Sequence, residues 1–382
     1  DAKKDEKFMM FFPRMYSSQS SHINAYKMWG NVTGKKVSYD FCGEQRSEIK
    51  PTFGENLRFF FDYQVNFMYW RYFMWNFSGR QNDMQGYGEI EHGNWITGIK
   101  FIDNMLVGDQ TLLPSELKEN KGRNVYFMLP LILGLIGIFY LLNSGKKGNH
   151  SFWVVMMLFI LTGLAIVVYL NQTPYQPRER DYAYAGSFYA FSIWIGLGVV
   201  GIARLLEKIL PKNVSAMIAT VACLGIPVLM AAQNWDDHDR SGRTTARDFG
   251  QNYLNSVDKN AILFSNGDND TFPLWYNQEV EGQRTDVRVC NLSYLQTDWY
   301  IDQMKRGAYE SAPLPISWEA KDYVTGKNEV MWVEDMIKEP IDMKTAFDFL
   351  LSDDPATKMN GESFIPSSKL FLPVDANQVI KS

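Results

Sequence analysis

"NVYFMLPLILGLIGIFYLLNSG", residues 124–145, runs for 22 positions without an Asp, Glu, Lys or Arg. A helix needs ~20 apolar residues to cross the hydrocarbon of a bilayer, so a run of this length reads as a membrane span. Residues 182–203 and 213–235 are equally free of charge, and 148–177 carry only His150. Together they predict four spans, near 125–143, 152–170, 184–204 and 214–232. Pro130 and Pro227 fall inside these runs, which helices in lipid tolerate when neighbours satisfy the backbone.

The flanks are of another composition. Residues 1–123 and 236–382 are rich in charge and turn residues, as watery regions are, so the chain divides into an amino-terminal region 1–123, a span region 124–235 and a carboxyl-terminal region 236–382. Four spans is an even number, which puts both flanks on one side of the membrane. The short loops carry Lys146 and Lys147, then Arg204, Lys208 and Lys212, and by the positive-inside rule these face the cytoplasm. The expected setting is a multi-pass protein of the cytoplasmic membrane with both large regions facing the periplasm. Lys118, Lys121, Arg123, Arg178, Arg180 and Arg240 lie near span ends on the other side, so the vote rests on the short loops alone.

Net charge is −5, which gives a nucleic-acid surface no support. Cys42, Cys223 and Cys290 show neither a disulfide framework nor metal-ligand spacing. No signal peptide is visible and the chain opens on Asp1, so we expect a piece of a longer protein.

Residues 55–78, "ENLRFFFDYQVNFMYWRYFMWNFS", hold eleven Phe, Tyr or Trp within 24 positions, interrupted by Arg58, Asp62 and Arg71. Each central charge would cost about 2.5–3.5 kcal/mol in a span. An interfacial helix is expected instead, rings at headgroup depth and charges toward water, the alternative being a core helix of a soluble domain.

Beyond Trp235 the elements alternate. A helix over 244–257, a strand over Ala261–Ser265, a helix from Pro273 to Glu281 capped by Asp270 or Thr271, and a strand through Val287–Leu292 make one βαβ unit of a small α/β domain. The tail after Pro313 gives only weak signals.

Four motifs bear on function. "GLGVVG", Gly196–Gly201, fits a dinucleotide fingerprint, but no strand precedes it, and its small residues serve helix packing instead. "RERD", Arg178 to Asp181, falls in the turn between the second and third spans, where Pro174 and Pro177 stop both helices. Guanidinium groups there can bind lipid phosphate bidentately, with Glu179 and Asp181 orienting them; equally, the four side chains can simply pair with one another. "WDDHDRSGR", 235–243, reads as a solvated junction held by ion pairs rather than a metal centre. "NGDNDTFP" offers Asn266, Asp268 and Asp270 at the carboxyl end of a strand, where α/β domains bind ligands, or else caps a helix; the EF-hand pattern fails at Thr271 and Asn277.

Several stretches together, "KFMMFFPRMYSSQSSHINAYKMWG", "NFMYWRYFMWNFSGRQNDMQG", "QPRERDYAYAGSFYAFSIWIGLG" and "NGDNDTFPLWYNQEVEGQRTDVRVCNLSYLQTDWYIDQM", resemble a family of large bacterial membrane proteins. That family has long been catalogued as a domain of unknown function and is similar to protein O-mannosyltransferases of the GT-C fold. The resemblance runs from about Lys7 to Met304. It implies part of a GT-C-like helical bundle that transfers a sugar, mannose, from a polyprenyl-phosphate carrier to Ser or Thr of exported proteins, with no cofactor. Arg178 and Arg180 would then be phosphate ligands and Glu179 or Asp181 orienters, while Asp268 and Asp270, from their place at the strand end, are read as contacts to a ligand or acceptor. The family's acidic motif near the amino terminus has no counterpart, "SYDFCGE" at Ser38–Glu44 echoing it only superficially, so the catalytic residue is unassigned. The alternative function is a non-catalytic envelope protein whose α/β domain binds a protein or polysaccharide. A transporter of lipid-linked sugars fits less well, since the spans hold no ionisable residue for coupling.

Overall fold

A computed structural model of the chain describes residues 8–41, 44–328 and 330–374. Cys42, with the centre of "SYDFCGE", lies outside the described residues. The chain forms two compact units, Asp1–Arg240 and Ser241–Ser382.

Among the described residues of the first unit, three helices are long and apolar enough to cross a membrane: Gly145–Leu170, Asp181–Leu206 and Lys212–His238, of 26, 26 and 27 residues. At 1.5 Å per residue each reaches about 40 Å, more than the ~30 Å of hydrocarbon. Along Lys212–His238 the apolar side chains of Met217, Val221, Leu224 and Val228 face outward, as a lipid-facing helix requires.

The first charge-free run behaves differently. Its helix covers only Leu129–Leu142, 14 residues, or about 21 Å. The residues ahead of it are spent elsewhere: Asn124 and Val125 pair with Arg80 and Gly79 in a short antiparallel ladder. Phe127 and Met128 then both take left-handed backbone, φ 54° and 57°, which no helix can absorb. Pro130, read as lying inside a span, instead occupies the first turn, where its missing N–H costs nothing. The second run, by contrast, is helical from Gly145, ahead of the expected start at 152. It breaks between Leu161 and Leu164.

The helices Leu129–Leu142 and Ala185–Leu206 approach closely because glycines meet backbone. A methyl group on Gly137 would collide with the Trp194 carbonyl, and one on Gly198 with the Leu133 carbonyl. The small residues of "GLGVVG" thus serve packing, as their context suggested.

The aromatic stretch forms one continuous helical rod in three parts: Phe53–Phe59 α-helical, Phe60–Trp70 π-helical and Arg71–Phe77 α-helical. Thr52 and Glu55 close its start as a capping box. Phe59, Tyr63, Phe67, Tyr69, Tyr72 and Trp75 pack with Val167 and Tyr184, and Phe73 and Phe77 with Phe191 and Trp194. Arg58 and Asp62 face water as expected. Arg71 does not: it is 3% exposed, so this helix is a core element on that face. The turns after it are held by amides, Gln81 and Asn82 donating to the carbonyls of Ile90 and Glu91.

The second unit holds the expected βαβ unit. Strands Ile262–Ser265 and Arg288–Asn291 pair in parallel, with helix Asp268–Glu279 between them. Leu254 from helix Thr245–Asn255, Leu274, Val287 and Val289 make its core. The intervening helix starts at Asp268 rather than at Pro273, and its N-cap is Gly267, with backbone φ +88°. Neither Asp270 nor Thr271 caps it; the proline lies in the second turn. The weakly patterned tail adds helix Met343–Leu351 and short strand pairs around a core of Ala346, Leu350 and Ile365.

Candidate functional site

The turn between helices Leu164–Leu170 and Ala185–Leu206 is fixed from beneath by the aromatic rod. Asn171 ends the first of these helices in left-handed backbone, φ 41°. The Gln64 amide donates to Asn171 Oδ1 at 3.1 Å and to the Gln172 carbonyl at 2.9 Å. The Gln85 amide holds the Gln176 carbonyl at 2.8 Å. Two prolines limit what remains of the turn's freedom.

On this base Glu179 points inward. Its Oε2 accepts from Arg71 Nη2 at 2.9 Å and from the Tyr72 hydroxyl in a short hydrogen bond. The side chains of Arg71 and Glu179 are 4% and 17% exposed, so the pair is largely out of water. Arg71 is held on every side: Nε donates to the Phe67 carbonyl and Nη1 to that of Gly93. Its guanidinium carbon also lies 3.7 Å from the Phe67 ring centroid and 4.8 Å from those of Tyr72 and Trp75. Gly93 sits at φ +57°, and a side chain there would strike the Met84 carbonyl and crowd Arg71.

Burial pushes the Tyr72 hydroxyl well above the usual tyrosine range, so it stays protonated and donates to Glu179. The same oxygen accepts the Arg180 backbone N–H at 3.3 Å. Two groups at the site are unspent: Glu179 Oε1 and Arg180 Nε are both buried without a hydrogen-bond partner. Buried polar atoms are nearly always paired, so an orphaned carboxylate oxygen and an orphaned guanidinium nitrogen on adjacent residues single this turn out as a candidate site.

The four turn residues thus divide. Glu179 reaches the buried Arg71 and Tyr72, and Arg180 meets Tyr72 through its backbone N–H. Arg178 is exposed, its guanidinium 5.5 Å from the Tyr182 ring centroid. Asp181 opens the short 3₁₀ turn Asp181–Tyr184, where an acid suits the helix start. Their charges do not pair among themselves in the described hydrogen bonds and ion pairs; Glu179 reaches 108 residues back to Arg71.

Arg71 was missed as a site residue. One signal was available: Arg58 and Asp62 stand four apart and can satisfy each other, whereas no acid stands three or four positions from Arg71. A cation left over in a row of aromatic rings needs a partner from elsewhere.

Asp268 and Asp270 belong to the second unit. Both are exposed in the first turn of helix Asp268–Glu279, and Asp268 Oδ1 accepts from the Tyr294 hydroxyl at 2.7 Å. Asn266 accepts from Ser293 Oγ at 3.1 Å. At the 235–243 junction, His238 Nδ1 lies 2.6 Å from Asp237 and Asn124 donates to Asp237 at 3.3 Å. Among the described residues no group of His, Cys, Asp and Glu is arranged to hold a metal ion.

Residues 246–382 match a family described as TMEM260-associated domain 2, a range close to that of the second compact unit. Residues 1–61 match a family of unknown function, DUF8416. Both matches accord with a protein family catalogued without an assigned function. No curated protein and no solved structure matches the chain.

Proposed function

We propose that this chain is part of a membrane glycosyltransferase that moves a sugar, mannose, from a polyprenyl-phosphate carrier to Ser or Thr of exported proteins. The observation that carries the reading is the turn at 178–181, where two arginines flank an acid anchored by Arg71 and Tyr72, with Glu179 Oε1 and Arg180 Nε unspent. A lipid phosphate is a dianionic or monoanionic group that needs fixed donors at the membrane surface, and guanidinium supplies them bidentately. Arg178 and Arg180 hold that phosphate. Glu179 keeps the turn in register, and Asp181 balances the excess positive charge.

In this reading the helix Leu129–Leu142 crosses with the three longer ones, so that both flanks share the periplasmic side of the cytoplasmic membrane. A short helix is accommodated by local thinning of the bilayer. The departing phosphate gathers negative charge in the transition state, and preorganised cations are what lowers that barrier. The general base is supplied by a residue outside those assigned above. Asp268 and Asp270 contact the acceptor.

Arg178→Gln together with Arg180→Gln, made in the full-length protein, is expected to lower sugar transfer by about 100-fold. The readout is transfer of labelled mannose from a polyprenyl-phosphate donor, with folding checked by the melting temperature. Unchanged turnover in a folded variant refutes the phosphate role.

A further inference from the structure

The second unit contains a cavity of about 370 Å³ between helix Asp268–Glu279, strand Arg288–Asn291 and helix Asp298–Met304. That is within the ~300–1,000 Å³ of small-molecule sites. Its floor includes Arg288, which is 5% exposed. Arg288 Nη2 donates to the carbonyls of Gln303 and Arg306 at 2.9 and 2.7 Å, and Nη1 to Ser311 Oγ at 3.3 Å. Every one of these acceptors is a carbonyl or hydroxyl oxygen; none is a carboxylate. Nε, also buried, has no partner.

A guanidinium withdrawn from water keeps its full charge, and carbonyl dipoles compensate it only in part. Burial accordingly pushes Arg288 down from the usual arginine range. Arg306 adds a second cation at the exposed rim. Glu279, also in the lining, is exposed and accepts from the Tyr309 hydroxyl; it is not among the described partners of Arg288. Trp275 and Tyr309 supply flat apolar surface. A buried guanidinium with no carboxylate among its described partners, beside the rings of Trp275 and Tyr309, favours an anion in the cavity.

We propose that this cavity binds a small organic anion, a carboxylate or phosphate carried on a compact ring of monosaccharide size, with Arg288 and Arg306 opposing its charge and Trp275 covering the ring. The site is independent of the turn at 178–181 and of the transfer reaction assigned to it.

The test is calorimetric titration of the full chain, in zwitterionic nanodiscs and phosphate-free buffer, with glucuronate, glucose 1-phosphate and glucose. At least one anion is expected to bind about tenfold or more tightly than glucose, and a preference between the two identifies carboxylate or phosphate as the recognised group. Arg306→Gln, on the exposed rim, is expected to weaken that binding about tenfold, and Arg288→Met to abolish it. Because Arg288 also ties down residues 303–311, Arg306→Gln decides the matter if Arg288→Met fails to fold. The proposal is overturned if glucose binds as well as the anions, or if neither anion binds at millimolar concentration. It is equally overturned if anion binding survives Arg306→Gln unchanged but is lost in Arg178→Gln with Arg180→Gln.

Discussion

Arg71 and Glu179 form a pair that neither residue could sustain alone. With 4% and 17% of their side chains exposed, each depends on the other for its missing hydration. Arg71→Met is therefore expected to cost about 3–5 kcal/mol, because it leaves a carboxylate with only Tyr72 as donor. Adding Glu179→Leu should return most of that loss. A double-mutant cycle on denaturant midpoints checks this: strictly additive single effects mean that the two charges are not coupled. At this scale the sequence was legible only in part. The turn charges could be located between apolar runs, and Glu179 could be suspected of orienting something. Its partner could not be read, since 108 residues separate them and the rod's ring-rich composition disguised a core element as an interfacial one. Periodicity reports which face is apolar, not what lies against it.

Among the elements, helix packing depends on where glycines stand rather than on how many there are. Gly196 and Gly198 are two positions apart in one motif, yet only the second meets a neighbour, the Leu133 carbonyl. Gly198→Leu is expected to cost about 3 kcal/mol, with Gly196→Leu close to neutral. Melting temperatures of the two variants in detergent measure the difference, and equal losses would mean that the helices do not touch at Gly198. The long helices and the βαβ unit were legible because hydropathy and strand-turn-helix alternation both act over many residues. Their ends were less so. The helix after strand Ile262–Ser265 starts five residues before Pro273, because a glycine in left-handed backbone turns the chain and Pro273 is tolerated in the second turn. The first apolar run lost its leading residues to the ladder Gly79–Arg80 with Asn124–Val125, a long-range pairing that hydropathy does not register.

For the molecule as a whole, the proposed four-span arrangement has a direct consequence for labelling. Ser18→Cys and Asn269→Cys sit at exposed positions, one in each unit, before and after the span region in the sequence. A membrane-impermeant maleimide added to intact vesicles is expected to modify both from the same side, and Lys146→Cys only after the membrane is opened. Labelling of Ser18→Cys and Asn269→Cys from different sides would require an odd number of crossings. The division into watery flanks and an apolar centre was legible from composition. That the first unit runs on to Arg240 was not, because the rings of the rod and the ladder after it join the amino-terminal region to the apolar run over long sequence separations.

The long reach from Arg71 to Glu179 also sets a timetable for biosynthesis. A ribosome releases Arg71 108 residues before the acid that neutralises it, and chains mature from the amino terminus onward. Until residue 179 emerges and the helix Gly145–Leu170 has been inserted, the guanidinium has ring faces and carbonyls around it but no counter-charge. The aromatic rod thus cannot complete its native contacts until the downstream turn has arrived, so the upstream region matures only after the apolar helices have been made.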